Sequence, residues 1–355
     1  MAEPKRTAIV LFNLGGPDTL EAVPPFLFNL FNDGAIIALP TLIRWPVAKM
    51  ISRRRAPVAR EIYRKMGGGS PLLPNTEAQA RALEAALRDL GSVKAFIAMR
   101  YWAPFSDEAA AAVKSWDAER IVLLPLYPQF STTTTASSWT AWRRAAARVK
   151  LQIPTTLVCC YPRQAGFVEA IAELVSAGLE QAERIGKTRA RPRVLFSAHG
   201  LPQTIVAGGD PYQWQVEQTC AAVTEALGGR VLDWQVCYQS RVGPLQWIGP
   251  LTEKEIERAA RERVRVVVAP IAFVSEHSET LVELDIEYEG LARRLGVPGY
   301  VRVPTVSISP HFIGGLAALV REALKGGGGI CPDGGARLCP ATWGKCPMAA
   351  RGPQP

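Results

Sequence analysis

The chain has 355 residues, 48% hydrophobic and 21% charged, a globular balance that allows a large core or two domains. Its net charge of +9 indicates an anionic partner, but basic residues do not alternate with aromatic ones along one face, so nucleic acid is not expected. The longest apolar region, 34–51, is interrupted by Pro40, Arg44 and Pro46 and cannot cross a bilayer as a straight helix.

Strands and helices alternate through the first part of the chain. We predict strands at 9–16, 93–99 and 120–127, because each is a short apolar run bounded by turn residues. A helix should run from about residue 75 to 90, and a shorter helix should follow Ser106.

The second part repeats this plan. Apolar runs predict strands at 193–200, 231–238 and 264–271. Asp210 and Pro211 should open one helix, and Thr252 with Glu255 forms a predicted capping box for the next. This order predicts an α/β fold of two Rossmann-like, doubly wound halves, each with a parallel sheet, around a cleft.

The segment 18–74 fits neither half. Its apolar stretch either forms a core helix or exposes a lip for a flat apolar ligand or a membrane surface. The arginine run 53–55 is typical of a solvated face, but beside an apolar lip it would hold anionic headgroups or ligand carboxylates.

An acidic segment follows the strand at 264–271. Ser275 is the predicted N-cap of a helix that places Glu279, Glu283 and Glu287 on one face, close to His277. A solvated acidic face is one interpretation. A ligand site is the other, because the segment begins at the carboxyl end of a buried strand, where α/β sheets bind ligands.

Seven cysteines in a reducing cytoplasm indicate free thiols or a metal site. Cys331, Cys339 and Cys346 follow a glycine hinge, and each precedes a proline. A Cys₄ site would need a fourth ligand, for which Cys160 is the best candidate, although Cys159 is adjacent. A zinc site and an unstructured tail remain alternatives.

Seven motifs, in order along nearly the whole chain, resemble those of the ferrochelatases. The resemblance implies two Rossmann-like domains with a porphyrin cleft, and a lyase that inserts ferrous iron into protoporphyrin IX in the last step of haem synthesis. The motifs are Asn13–Pro17, Arg64–Pro71, Met99–Trp102, Tyr127–Ser131, Phe196–Pro202, Tyr238–Pro244 and Ser275–Leu281.

The resemblance also implies roles for individual residues. It places His199 and Glu279 on opposite sides of the macrocycle as catalytic groups that face the substrate iron, with Glu283 and Glu287 as a relay for protons or iron. The expected substrate contacts are Leu14, Phe26, Leu27, Phe31, Ile36, Arg55, Arg100, Tyr101, Ser240 and His277. Tyr101 is equally well explained as a core residue.

Many ferrochelatases carry a [2Fe–2S] cluster on one internal and three C-terminal cysteines, so the resemblance implies such a cluster on Cys160, Cys331, Cys339 and Cys346. The expected division is an N-terminal half at 1–150, which includes the insert at about 18–74, a catalytic half at 151–324 and a cluster-binding tail at 325–355. A crossing of the chain back to the first half near the end of the catalytic half is left open. We expect a cytoplasmic protein with peripheral contact at the inner membrane; the oligomeric state stays open. Alternatives are a chelatase for coproporphyrin or cobalt, and a non-catalytic haem-binding protein.

Overall fold

The computed structural model describes residues 6–185, 190–229 and 233–349. The chain forms two compact units, Met1–Cys160 with Leu316–Ala336, and Tyr161–Gly315 with Arg337–Pro355. Residues 316–336 return to the first unit, so these units differ from the division expected at residues 150 and 324. That division, as a division of function, stays a prediction.

The first unit is built on a five-stranded parallel sheet. Its strands are β1 (Thr7–Asn13), β2 (Val93–Met99), β3 (Arg120–Pro125), β4 (Thr155–Val158) and β9 (Gly329–Cys331). They lie in the order β2-β1-β3-β4-β9, and every residue of β1 is buried, as the continuous apolar run indicates. The helices before β4 are α1 (Val23–Phe31), α2 (Thr41–Lys65), α3 (Leu72–Ala86), α4 (Ser106–Ser115) and α5 (Thr135–Arg148).

The second unit contains a four-stranded parallel sheet. Its strands are β5 (Arg193–His199), β6 (Trp234–Gln239), β7 (Val266–Pro270) and β8 (Tyr300–Arg302). The order β6-β5-β7-β8 repeats the order of the first four strands, which confirms the predicted α/β fold with two parallel sheets. Residues 231 and 232 of the predicted strand lie outside the described residues. The later helices are α6 (Ala165–Arg184), α7 (Gln203–Ala207), α8 (Tyr212–Ala226), α9 (Thr252–Arg261), α10 (Glu289–Leu295) and α11 (Pro310–Lys325).

Two predicted helix starts differ from the structure. The capping box is wrong, because Thr252 is already the first residue of α9 and its buried hydroxyl lies 2.9 Å from Ser197 Oγ. Helix α8 begins one residue later than predicted, at Tyr212, whose N–H donates to Asp210 Oδ1 at 3.0 Å. Asp210 therefore still satisfies a free N–H at the start of the helix.

Helix α2 runs through both of its prolines, Pro46 and Pro57, over 25 residues. Within the described ranges, no helix combines the length and the apolar character needed to cross a membrane.

Candidate functional site

The candidate site lies at the carboxyl edge of the second sheet. Strand β5 has β6 on one side and β7 on the other, so the chain reverses direction across the sheet here, the position at which open α/β sheets bind ligands. His199 is the last residue of β5, and its Nδ1 lies 2.8 Å from Glu279 Oε2. A direct hydrogen bond leaves no room for a macrocycle between these two side chains, so the expectation that they lie on its opposite sides is wrong. Because an ionised carboxylate can only accept a hydrogen bond, Nδ1 carries the proton.

Ser240, directly after β6, joins Glu279 to Glu283. Its Oγ donates to Glu279 Oε2 at 2.8 Å and also contacts Glu283, while its backbone N–H donates to Glu283 Oε1 at 2.8 Å. Its φ of 65° is in the left-handed region, which non-glycine residues seldom adopt. A strained residue with two carboxylate partners is typical of functional sites.

Two more groups complete the surroundings of Glu283. Gln239 Nε2 donates to Glu283 Oε2 at 3.1 Å and to the backbone oxygen of Glu279 at 3.2 Å. The Tyr288 hydroxyl donates to Glu283 Oε1 at 3.0 Å. Both carboxylates are therefore held by several donors.

The pKa values of the three ionisable groups differ in direction. Burial acts against the charged form of each group. For Glu279 the nearby imidazole and its hydrogen bond outweigh burial and lower the pKa. Burial and the neighbouring Glu279 charge raise the pKa of Glu283. Burial would lower the pKa of His199, but the Glu279 carboxylate raises it. Separated pKa values in one cluster are typical of acid–base sites.

The acidic segment is a π-helix, Glu279–Tyr288, followed directly by α10. The predicted N-cap is wrong: Ser278 precedes the π-helix, and Ser275 is buried with its carbonyl oxygen 3.1 Å from His277 Nδ1. The wider turns of a π-helix, bonded i to i+5, are frequent at functional sites. Glu283 joins the cluster, while Glu287 is exposed.

His277 is buried and lies next to this cluster. Its Nε2 is 4.0 Å from Glu279 Oε1, and burial lowers its pKa. Its ring packs against Phe273, with the ring centroids 4.7 Å apart.

Arg100 and Tyr101 belong to a different network, in the first unit. Asp33 Oδ2 accepts hydrogen bonds from Arg100 Nη2 and Tyr101 Oη, both at 2.8 Å, and from Ser137 Oγ. Tyr101 is fully buried, so it is a core residue here; its predicted porphyrin contact stays a prediction.

The predicted apolar lip is only partly exposed. Phe26 and Leu27 are buried on the face of α1 that packs against Ala56 and Tyr63, so for them the core interpretation holds. Leu14 and Phe31 are partly buried against the same cluster, and Arg55 lies over the Phe31 ring at 5.9 Å. Ile36, the remaining residue of the predicted lip, is exposed. Further exposed apolar side chains follow it at Leu39, Leu42, Ile43, Trp45, Met50 and Val58.

The cysteines of the predicted cluster are all described. Strand β9 pairs with β4, so the carbonyl oxygen of Cys331 accepts from the N–H of Cys159, whose thiol is 3.4 Å from that of Cys160. In the tail, the thiols of Cys339 and Cys346 are hydrogen-bonded, which lowers the pKa of Cys346.

Within 6–185, 190–229 and 233–349, no three or more His, Cys, Asp and Glu side chains are grouped to hold a metal ion. The cluster on Cys160, Cys331, Cys339 and Cys346 therefore stays a prediction.

Sequence reasoning missed several residues of these networks. Gln239 has one available signal, its place just before Ser240 at the end of a predicted strand. Tyr288 has another, since its spacing of five from Glu283 matches the i to i+5 register of a π-helix. Asp33 has no such signal, because it is a single acidic residue in an apolar segment.

Comparisons with known proteins identify the family of this chain. A family model described as Ferrochelatase matches residues 6–324. A ferrochelatase of Caulobacter vibrioides is 52% identical over 346 residues, which cover 97% of each chain. A ferrochelatase of Hyphomonas neptunium is 50% identical over 353 residues, covering 97% of this chain and 95% of the relative.

At low sequence identity, a likeness to solved structures concerns the fold and not the function. SirB from Bacillus subtilis with Fe3+ superimposes with a TM-score of 0.52 at 13% identity, covering 90% of this chain and 95% of SirB. The family model spans most of the chain, and relatives about 50% identical to it span nearly all of it. This chain therefore belongs to the ferrochelatases, the lyases that form protohaem in the terminal step of haem biosynthesis.

Proposed function

We propose that His199 accepts the pyrrole protons of protoporphyrin IX while ferrous iron enters, and that Glu279 stabilises the imidazolium that results. Each pyrrole N–H bond breaks, its electron pair binds iron, and the proton passes to His199; two protons leave for each iron, which stays ferrous. The observation that best supports this proposal is the 2.8 Å hydrogen bond between His199 Nδ1 and Glu279 Oε2. With Nδ1 engaged, Nε2 is the nitrogen that accepts the proton.

Glu283 is the next group in this proposal. Its raised pKa makes the protonated form of this carboxyl group easier to reach than in a free glutamate, and Ser240 lies between it and Glu279. Glu287, which is exposed, is the solvent end of the relay. The porphyrin contacts implied by the resemblance, from Leu14 to His277, belong to the same proposal.

The test is anaerobic insertion of Fe(II) into protoporphyrin by the wild type, His199→Ala and Glu279→Gln. We expect each substitution to lower kcat by about 10²–10⁴-fold, the usual contribution of a positioned acid or base. Glu289→Gln, a surface carboxylate paired with Arg293, is the control and should keep full activity. Near-full turnover in either site variant contradicts the assignment.

The same assay separates the alternatives. Faster turnover with coproporphyrin or Co(II) would make the chain a chelatase for another porphyrin or metal. Tight haem binding without any acceleration of insertion would indicate a non-catalytic haem-binding protein.

We also propose that Cys160, Cys331, Cys339 and Cys346 hold a [2Fe–2S] cluster. The lowered pKa of Cys346 supports this, because thiolates are the form that binds iron. Protein prepared anaerobically should be coloured and contain about two irons per chain. Cys346→Ser should bleach it, whereas Cys220→Ser, at a buried thiol of α8, should not. Stoichiometric zinc in colourless protein would contradict the cluster.

A third proposal is a cytoplasmic protein with peripheral contact at the inner membrane through α2. Leu42 is 91% exposed on this helix, and Arg53, Arg54 and Arg55 are exposed on it as well. Binding to vesicles that contain anionic lipid should weaken with salt and with Leu42→Asp. Leu245→Asp, at an exposed leucine of the second unit, is the control. Absence from vesicles at low salt would remove this proposal.

A further inference from the structure

Arg302 lies on β8, away from His199, yet its guanidinium holds two carboxylates of the segment that carries the acidic cluster. Nη1 is 2.7 Å from Glu276 Oε1, Nε is 2.6 Å from Asp285 Oδ1, and Nη2 donates to the other oxygen of Asp285. The Arg302 side chain is only 11% exposed, so these pairs are largely shielded from water.

These two carboxylates flank the reacting pair along the chain. Glu276 lies just before the π-helix that begins at Glu279, and Asp285 lies after Glu283 within that helix. The N–H of Thr305 also donates to Glu276 Oε1, at 2.9 Å, so β8 and the loop after it fix the start of the segment together.

A ten-residue π-helix needs such support. Most π-helical turns are single bulges inside α-helices, so a long one depends on contacts that favour its wide register. In this register both Glu279 and Glu283 reach Ser240.

We infer that Arg302 is a positioning residue for iron insertion: by holding Glu276 and Asp285 at once, it fixes the register in which Glu279 meets His199 and Ser240. The inference rests on the proposed function of Glu279. Arginine suits this task because its planar fork binds one carboxylate with two parallel hydrogen bonds and still has a donor for another. Lysine keeps the charge but lacks the fork.

The test is Arg302→Lys, assayed for insertion over a range of pH. We expect kcat to fall about tenfold to a hundredfold, since small misplacement of a catalytic group has effects of this size. KM for porphyrin should change little, because Arg302 acts through the carboxylates. The acidic limb of the kcat profile should move to lower pH, because His199 loses the partner that raises its pKa.

The chain offers a matched control in Arg193. Its side chain is 6% exposed and also holds two carboxylates, with Nε 2.8 Å from Asp233 Oδ1 and Nη2 2.5 Å from Glu262 Oε2. Neither partner belongs to the acidic segment. Arg193→Lys should therefore lower thermal stability while leaving kcat and its pH profile as in the wild type.

A second variant, Asp285→Asn, keeps the inference testable if Arg302→Lys fails to fold. It should act in the same direction, and the double variant should be no worse than Arg302→Lys alone, because both changes break one link. If the variants at Arg302 and Asp285 keep the kcat and pH profile of Arg193→Lys, the inference is overturned.

Glu279→Gln, assayed in parallel, separates the two ideas. An inactive Glu279→Gln with a normal Arg302→Lys refutes only the positioning role. Full turnover in Glu279→Gln removes the proposed role of Glu279, and this inference with it.

Discussion

The two units each contain a carboxylate held by donors at the end of a sheet, but its cationic partner differs. In the first unit Asp33 pairs with Arg100, one residue after β2; in the second, Glu279 pairs with His199 and also contacts Ser240, one residue after β6. Since the two sheets share their strand order, Arg100 and Ser240 occupy matching places.

The partner decides what each arrangement can do. A guanidinium keeps its proton at any ordinary pH, so Asp33 stays ionised and ties its segment to the sheet. An imidazole can gain and lose a proton near neutral pH, so Glu279 has a partner whose charge changes during a reaction. Similar geometry is therefore structural in one unit and suited to proton transfer in the other.

The largest expected effect comes from giving Glu279 a partner of fixed charge. His199→Arg keeps a cation but removes the base, so we expect kcat for Fe(II) insertion to fall by about 10²–10⁴-fold. The control is His311→Arg, at an exposed histidine 3.1 Å from Glu169, which should leave kcat unchanged. If His199→Arg kept a tenth of wild-type activity, charge alone would be sufficient.

Removing the fixed pair should affect stability instead. Asp33→Asn should lower the free energy of unfolding in urea by about 2 kcal/mol at pH 7, the scale of a hydrogen bond to a charged group. The Asp33 pKa is lowered in the folded protein, so its contribution is present above the unfolded pKa of about 3.9 and lost as the pH falls through the folded value. The difference between variant and wild type should therefore vanish in acid, and the shape of the kcat profile should stay as it is.

A smaller effect is expected at the relay. Glu283→Gln should lower kcat roughly tenfold, because the cluster loses a proton carrier. The Glu283 charge helps to raise the pKa of His199, so without it neutral imidazole persists to lower pH. The acidic limb of the kcat profile should therefore move to lower pH, and an unmoved limb would contradict the role of Glu283 in the relay.

The smallest effect is expected when the Arg100–Asp33 pair is changed to resemble the His199–Glu279 pair. In Arg100→His, the introduced imidazole should have its pKa raised by Asp33 above about 6.5, so its stabilisation is present in acid and is lost as the pH rises through the raised value. Thermal unfolding should show a loss of about 1 kcal/mol at pH 8.5 and less at pH 5.5. A loss that does not depend on pH would mean that the guanidinium acts through packing.

The strands and the central pair were predictable from the sequence, whereas the networks around them were not. Continuous apolar runs mark β1, β3 and β7 because strands covered on both faces leave little room for polar side chains. Motifs led to His199 and Glu279. Residues spaced by four are compatible with an α-helix as well as with a π-helix, so the register of the acidic segment could not be predicted.

Two further failures have a similar cause. The apolar stretch around Phe26 does not reveal whether it packs on a neighbouring helix or faces outward, since either environment accepts the same residues. Arg302 lies on a strand of three residues, which is too short for a hydrophobic pattern to predict it. Its partners Glu276 and Asp285 are distant in the sequence and become its neighbours only in the folded chain.

The pairing of β9 with β4 determines how late in translation the sheet of the first unit can be completed. The ribosome makes β4, which ends at Val158, well before the strand that covers its edge, which ends at Cys331. At about 5–20 residues per second, the unpaired edge of β4 waits on the order of ten to thirty seconds for its neighbour. During that interval the nascent first unit presents a free strand edge, the kind of surface that nascent-chain chaperones cover.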